Sequence, residues 1–323
     1  MEYTTLGRTG VQVSRLCFGT MSFGDIADAD MSGRMFNRCR DIGINFFDCA
    51  NTYAGGRSEE ILGALIKPVR DEIVLTTKVC SPVSDRPNDK GLSRRHILMQ
   101  VENSLRRLDT DRIDLYFVHH FDPFTPIPEV LRSLDLLVQQ GKIRYAGVSN
   151  WAAWQIALSL GESARLDLAR FECIQPMYSL LKRQAEVEIL PLAQDQDLGV
   201  IPYSPMAGGI LSGKYRWDER PAESRLAVNT MYQARYGEEH YFDTATRFAA
   251  LAGELGVSAP ALAVAWVGHH PGVTAPIIGA RNLEQLNSSL EALEVEMTDE
   301  VWQQAASLVP VPPMATDRED DRD

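Results

Sequence analysis

The chain has 323 residues, 45% apolar and 24% charged, an ordinary globular balance that excludes collagen-like, low-complexity and disordered classes. Its 44 acidic against 32 basic side chains give a formal charge of −12, which repels phosphodiester backbones and argues against a nucleic-acid partner. No apolar run reaches the roughly 18 to 20 residues of a membrane span. The opening MEYTTLGRTG also lacks the cationic-then-apolar layout of a secretory signal, so the cytoplasm is the expected compartment.

In chain order, Thr4 to Leu6 and Val11 to Val13, separated by Gly7 to Gly10, read as a small hairpin that plugs one end of the fold. Eight short apolar runs follow: Arg15 to Gly19, Asn45 to Asp48, Ile73 to Thr77, Ile113 to His119, Tyr145 to Ser149, Cys173 to Gln175, Val200 to Tyr203 and Ala275 to Ile278. Amphipathic stretches separate them, the alternation of a parallel sheet with helical crossovers. Eight strands close a (β/α)8 barrel, whereas a doubly wound sheet would want a G-x-G-x-x-G after its first strand, which is missing here. Ser58-Glu59-Glu60 starts one helix that Pro68 stops, and Ser93 starts another with Val101, Leu105 and Leu108 on one face. Gly208 to about Asp243, with Tyr215, Trp217 and Pro221, reads as an extended excursion after the seventh strand, the kind of long loop that serves as a lid or binding strap. Residues 1–316 form one predicted barrel domain, and the charge run 317–323 a solvated tail.

The five cysteines, Cys17, Cys39, Cys49, Cys80 and Cys173, are odd in number and lack a C-x-x-C pair, so neither disulfides nor a metal site is indicated. Cys49 reads as a buried apolar filler rather than a reactive thiol.

Barrel active sites gather at the C-terminal ends of the strands, so a polar residue closing an apolar run marks a candidate. Asp48 closes the second run, Lys78 the third and His119 the fourth, and Tyr53 follows in the loop after Asp48. Taken singly, these read more readily as a helix cap, a snorkelling lysine, a core histidine and a packing aromatic; together they converge on one rim. A tyrosine is a poor acid at neutral pH, but an ammonium a few ångströms away, worth ~4 kcal/mol at an effective dielectric of ~20, is expected to lower its pKa by up to about three units. Asp48 would hold Lys78 charged, and His119 would orient a carbonyl oxygen against Tyr53. No side chain supplies hydride, so a nicotinamide cofactor is implied.

The segment Phe46-Phe47-Asp48-Cys49-Ala50-Asn51-Thr52-Tyr53, followed by Gly56-Arg57-Ser58-Glu59 and Leu62-Gly63, resembles the aspartate-to-tyrosine signature of the aldo-keto reductase superfamily. Thr77-Lys78, the run Asp114 to His119, Gly147-Val148-Ser149-Asn150, the run Tyr203 to Tyr215 and Pro276 to Arg281 are similar too, in the family's order, from about Leu6 to Leu293. The resemblance implies an NADPH-dependent oxidoreductase acting on a small carbonyl or alcohol, with Asp48, Tyr53, Lys78 and His119 as its catalytic set. It also implies cofactor contacts: Gly19, Thr20, Met21 and Asp48 near the nicotinamide ribose, Ser149, Asn150 and Gln175 at the carboxamide, and Tyr203 stacked on the ring. Ser204, Pro205, Met206, Gly208, Ile210, Ser212 and Lys214 would strap the pyrophosphate. Gly279, Arg281 and Gln285 would reach the adenosine end, where Arg281 offers a 2′-phosphate a bidentate partner and favours NADPH over NADH. Ser289 belongs to the same end, where many relatives carry Glu-Asn or a similar pair in place of Ser288-Ser289. Family spacing from Asp114 selects His119 over His120 as the inward imidazole.

Two other readings use the same parts. A lysine at a strand end also suits a Schiff-base aldolase, which would leave the nucleotide strap unexplained. Potassium-channel β subunits share the architecture and act chiefly as cofactor-loaded interaction proteins. Met21, Phe23, Tyr53, His120, Phe121, Trp151, Trp217 and Tyr232 are the candidate substrate walls, suited to a sugar face and to an aryl aldehyde alike.

Overall fold

In a computed structural model, residues 1–215, 217 and 230–316 are described. Two short antiparallel strands, Tyr3–Thr5 (β1) and Gln12–Ser14 (β2), form the expected hairpin. Eight parallel strands then pair in the order β10-β3-β4-β5-β6-β7-β8-β9. They are Cys17–Gly19 (β3), Phe46–Asp48 (β4), Val74–Val79 (β5), Ile113–Val118 (β6), Ile143–Ser149 (β7), Phe171–Gln175 (β8), Gly199–Val200 (β9) and Ile277–Ile278 (β10).

The ladder closes on itself: Thr274 N and Ala275 N both donate to Val200 O at 2.8 and 3.2 Å, and Ile277 N donates to Pro202 O at 2.9 Å. The last two strands are shorter than their apolar runs because Pro202 and Pro276 carry no N–H for the ladder. The eight strands thus form the expected barrel.

Helices cover it in the crossover positions: Ala29–Asp41 (α1), Arg57–Ile66 (α2), Arg94–Arg107 (α3), Ile127–Gln139 (α4), Ala153–Leu166 (α5) and Ile189–Asp195 (α6). After β9 come Thr230–Tyr236 (α7), Glu239–Glu254 (α8) and Ala259–His269 (α9), and after β10 Leu283–Leu290 (α10) and Asp299–Ala306 (α11). Ser93 caps α3 through its hydroxyl, as its position implies, and α2 ends at Ile66 just before Pro68. The described part of the excursion holds a 3₁₀ turn, Ala207–Ser212, and α7; Pro221, the middle of that segment and the tail 317–323 lie outside the described residues. No single helix among the described residues is long and apolar enough to cross a membrane.

Apolar burial divides into two clusters. One fills the annulus between strands and helices, and the other fills the barrel with Cys17, Phe46, Val74, Leu115, Phe117, Cys173, Ile201 and Ile277. Leu6 and Val13 of the hairpin segment join the inner cluster, fully buried, which is how the hairpin closes the N-terminal end. Each such side chain contributes about 1.5–3 kcal/mol relative to exposure. The seat is tight at Gly7, whose φ is +51° and where a Cβ would stand 2.6 Å from Gly199 N and 2.7 Å from Asp197 O. Gly7→Ala should therefore lower stability by about 1–3 kcal/mol, read as a fall in urea midpoint. An unchanged midpoint would mean that the plug is not seated against β9 as described.

Candidate active site

Strand alternation builds the site. In β4, Phe46 points into the barrel, Phe47 packs outward and Asp48 points in again; in β5, Val74, Thr76 and Lys78 share the inner face. Register pairs Gly19 with Asp48 and Asp48 with Thr76, so the polar layer lies directly above the apolar one.

Lys78 is fully buried. Its Nζ donates to Asp48 Oδ2 and to the Cys49 carbonyl, both at 2.6 Å, and lies 3.4 Å from Tyr53 Oη. Asp48 Oδ1 accepts from Thr76 Oγ1 at 2.6 Å and from Gln175 Nε2 at 2.9 Å, so both carboxylate oxygens are engaged. Burial alone would push the Lys78 pKa down, but Asp48 and then Tyr53 more than offset it, and the net shift is upward. Lys78 stays an ammonium.

Tyr53 departs from expectation. Burial raises its pKa more than Lys78 lowers it, with Asp48 adding to the rise, and the phenol is pushed up to about 12. The carboxylate that holds the ammonium offsets part of its field, and burial outweighs the rest. His119 lies with its ring 6.3 Å from that of Tyr53, edge on, and stacks on His120 at 4.7 Å. Burial, the Lys78 charge and His120 drive its pKa well below 6.5, so His119 is a neutral imidazole. His119 is partly buried and His120 exposed at the mouth.

The loop bearing Tyr53 needs support, because Ala54 and Gly56 have φ of 48° and 100°. Buried Glu59, just beyond it on α2, accepts from Thr77 Oγ1 on the outer face of β5 and from Arg107 Nε on α3, both at 2.6 Å. Ser58 Oγ donates to the Thr20 carbonyl at 2.8 Å and lies 3.2 Å from Cys49 Sγ. Cys49 is buried, and burial pushes its thiol up to about 12, so it is a filler.

A cavity of about 520 Å³ opens at this end of the barrel. Asp48, Tyr53 and His119 border it, and Lys78 lies beneath them. Gly19, Met21, Asn150, Gln175 and Tyr203 line the same end. Tyr203 Oη donates to Asn150 Oδ1 at 2.6 Å, and Asn150 Nδ2 donates to the His119 carbonyl at 2.9 Å. Ser204, Pro205, Met206, Gly208, Ser212 and Lys214 form one flank, and Gly279, Arg281, Gln285 and Ser289 the far end.

Three cofactor candidates do not face the cavity. Thr20 is buried with Oγ1 on the Asp48 carbonyl at 3.0 Å; Ser149 donates to the Gln175 carbonyl at 2.9 Å beneath Asn150; Ile210 packs into the core. Each supports the wall instead. Of the substrate candidates, Met21, His120 and Tyr232 line the cavity, whereas Phe23 is core and Trp151 packs edge-on against Phe121 at 5.0 Å. Trp217 packs on Phe242 at 5.5 Å. Asn287 turns away and accepts from Arg38 at 2.9 Å, while Ser288 lines the cavity.

Sequence reasoning missed Met231 and Arg235 of α7, and Pro260 and Val264 of α9. Arg235 had a signal: it follows Tyr232 by three residues, which places both on one helix face.

The flank is a tightly wound turn. Met206, at φ −90° and ψ 11°, precedes Ala207 at φ 50°, and Gly208 and Gly209 follow with φ of 70° and 99°. Ala207 N and Gly209 N donate within the turn, to the Ser204 and Met206 carbonyls at 2.8 and 2.9 Å, so the flank presents a compact backbone with little side chain that a ligand can approach closely. A Cβ on Gly208 would meet the Tyr232 ring at 2.6 Å, so only glycine fits between strap and α7. The donor set, the compact flank and the cations Lys214 and Arg281, all lining one cavity, fit a dinucleotide.

Residues 15–310 match the aldo/keto reductase family. An uncharacterized oxidoreductase, YrpG, of Bacillus subtilis is 40% identical, over 97% of this chain and 97% of its own. A probable voltage-gated potassium channel subunit beta of Oryza sativa is 38% identical over 98% of this chain and 99% of its own, and one of Arabidopsis thaliana 38% identical over 91% and 92%. With the family domain spanning the whole barrel, this chain belongs to the aldo/keto reductase family of oxidoreductases.

Proposed function

We propose that this chain transfers a hydride between NADPH and a small carbonyl compound, an aldehyde, ketone or sugar, with Tyr53 as the general acid. The carrying observation is Lys78, held 2.6 Å from Asp48 and 3.4 Å from Tyr53 Oη at the edge of a cavity that fits a dinucleotide.

The cofactor's nicotinamide end would lie against Gly19, Met21, Asn150, Gln175 and Tyr203, its pyrophosphate in the strap Ser204 to Lys214, and its 2′-phosphate by Arg281, with Gln285 and Ser289 beside the adenosine. When bound, a reduced nicotinamide supplies the hydride. Tyr53 supplies the proton. At neutral pH a phenol at about 12 is fully protonated, and a carbonyl oxygen that gains alkoxide character is the stronger base, so the transfer runs downhill. The phenolate left behind gains the Lys78 ammonium at 3.4 Å, an attraction of roughly 5 kcal/mol at an effective dielectric near 20. Neutral His119 donates a hydrogen bond to the same oxygen and fixes it against Tyr53, without adding a charge that would compete with Lys78.

A Schiff-base role for Lys78 is disfavoured by its protonation, since an amine must be neutral to attack a carbonyl. A second reading rests on the potassium channel subunit relatives at 38% identity: a cofactor-loaded interaction protein with little turnover.

Oxidation of NADPH by simple aldehydes, followed at 340 nm, separates the two. Tyr53→Phe is expected to lower kcat by about 10²–10⁴ while leaving NADPH affinity, read by fluorescence titration, within a factor of about two. Equal turnover in the two proteins would contradict the assignment. The pH dependence carries a sign. Reduction needs the protonated phenol and should be flat between about pH 6 and 9, while alcohol oxidation needs the phenolate and should rise nearly tenfold per pH unit over that range. An acid-form titration near neutrality in the reduction profile would show that another group donates the proton.

A further inference from the structure

Arg235 and His120 line the cavity yet take no part in the chemistry above. Arg235 comes from α7 and is partly buried. Its guanidinium lies 5.9 Å from the centre of the Tyr203 ring. Among the described residues no carboxylate pairs with it. Hydrogen bonds run from Tyr203 through Asn150 to the His119 backbone, and the His119 ring stacks on His120. The guanidinium therefore borders the same end of the cavity as the Tyr53 phenol.

The charge balance at that end is one-sided. Among the described residues, two carboxylates line the cavity, Asp48 and Glu284. Asp48 is saturated by Lys78, Thr76 and Gln175, and Glu284 belongs to α10 with Gln285 and next to Arg281, at the far end. His119 and His120 are both shifted toward the neutral form, His120 by the partial loss of water at the cavity mouth and then by Arg235 itself. Among the described residues, Arg235 is then a cation beside the reacting group with no carboxylate partner. A guanidinium resting on an aromatic ring keeps its in-plane N–H donors free, and that planar fork matches a carboxylate. A single cation with a neutral imidazole beside it suits a monoanion better than a phosphate dianion.

We propose that the preferred carbonyl substrate carries a carboxylate, bound by Arg235 with His120 as a second donor, so that the anion fixes which carbonyl meets Tyr53. This rests on the hydride-transfer reading for its chemistry, but not for its binding.

Two measurements keep the two apart. In calorimetric titration of the protein saturated with NADP+, benzoate should bind at least about tenfold more tightly than benzamide, the range of one charge-assisted contact. In turnover, kcat/KM for 4-carboxybenzaldehyde should exceed that for methyl 4-formylbenzoate by a similar factor of about ten. Arg235→Gln should bring both ratios to about one, while Arg235→Lys, which keeps the charge but not the fork, should retain part of each. Ratios near one in the wild type, ratios that survive Arg235→Gln, or a benzoate preference lost only in Arg281→Gln would overturn the proposal. A benzoate preference that depends on Arg235 with neither aldehyde reduced would uphold the anion site and overturn hydride transfer. Equal reduction of both aldehydes would do the reverse.

Discussion

A charged lysine inside a barrel is the constraint around which this end of the molecule is arranged. Removed from water with no partner, an ammonium costs several kcal/mol, and Lys78 is fully buried. Asp48 and the Cys49 carbonyl, each at 2.6 Å, compensate it, and Thr76 and Gln175 occupy the other oxygen of Asp48. The pair is fixed by strand register rather than by flexible side chains: Asp48 pairs with Thr76, and Lys78 is the next inward position on β5. A slip of one residue would turn Lys78 to the helix side, so sheet pairing and electrostatics specify each other.

The protonation states around the pair follow from it. The ammonium adds to burial in keeping His119 neutral, while its own neutralisation by Asp48 limits its pull on Tyr53. The outcome is a proton-loaded phenol, a neutral hydrogen-bond donor and a positive charge in reserve, rather than the acidified tyrosine that the lysine alone suggests. Stabilisation then appears mainly as the phenolate forms, which is where a catalyst gains from it.

Much of this was legible because barrel strands, covered by helices outside and packed inside, read as continuous apolar runs, and a polar residue at the end of one stands out. Asp48, Lys78 and His119 are such residues, and the hairpin around Gly7 and the cap at Ser93 carry local turn and capping chemistry. What escaped depended on packing at a distance. Ser149 ends a strand as expected, yet Asn150, at φ 58°, folds its amide back over the hydroxyl and shields it from the cavity. Thr20 is held under Asp48 by Ser58, thirty-eight residues away. Val264 and Pro260 reach the cavity only because α9 packs beside the strap, and nothing in their local sequence marks that contact. The downward pull expected on Tyr53 failed for a similar reason, since burial and the Asp48 charge are tertiary quantities.

The most direct test of hydride and proton meeting at one carbonyl is isotopic. With NADPH deuterated at either C4 position of the nicotinamide in turn, mass spectrometry and NMR of the alcohol formed from an aldehyde should find deuterium on the carbinol carbon from one of the two isomers. Turnover in D₂O should put no solvent deuterium on that carbon. An alcohol whose carbinol hydrogen comes from solvent, or no alcohol at all, would contradict the account.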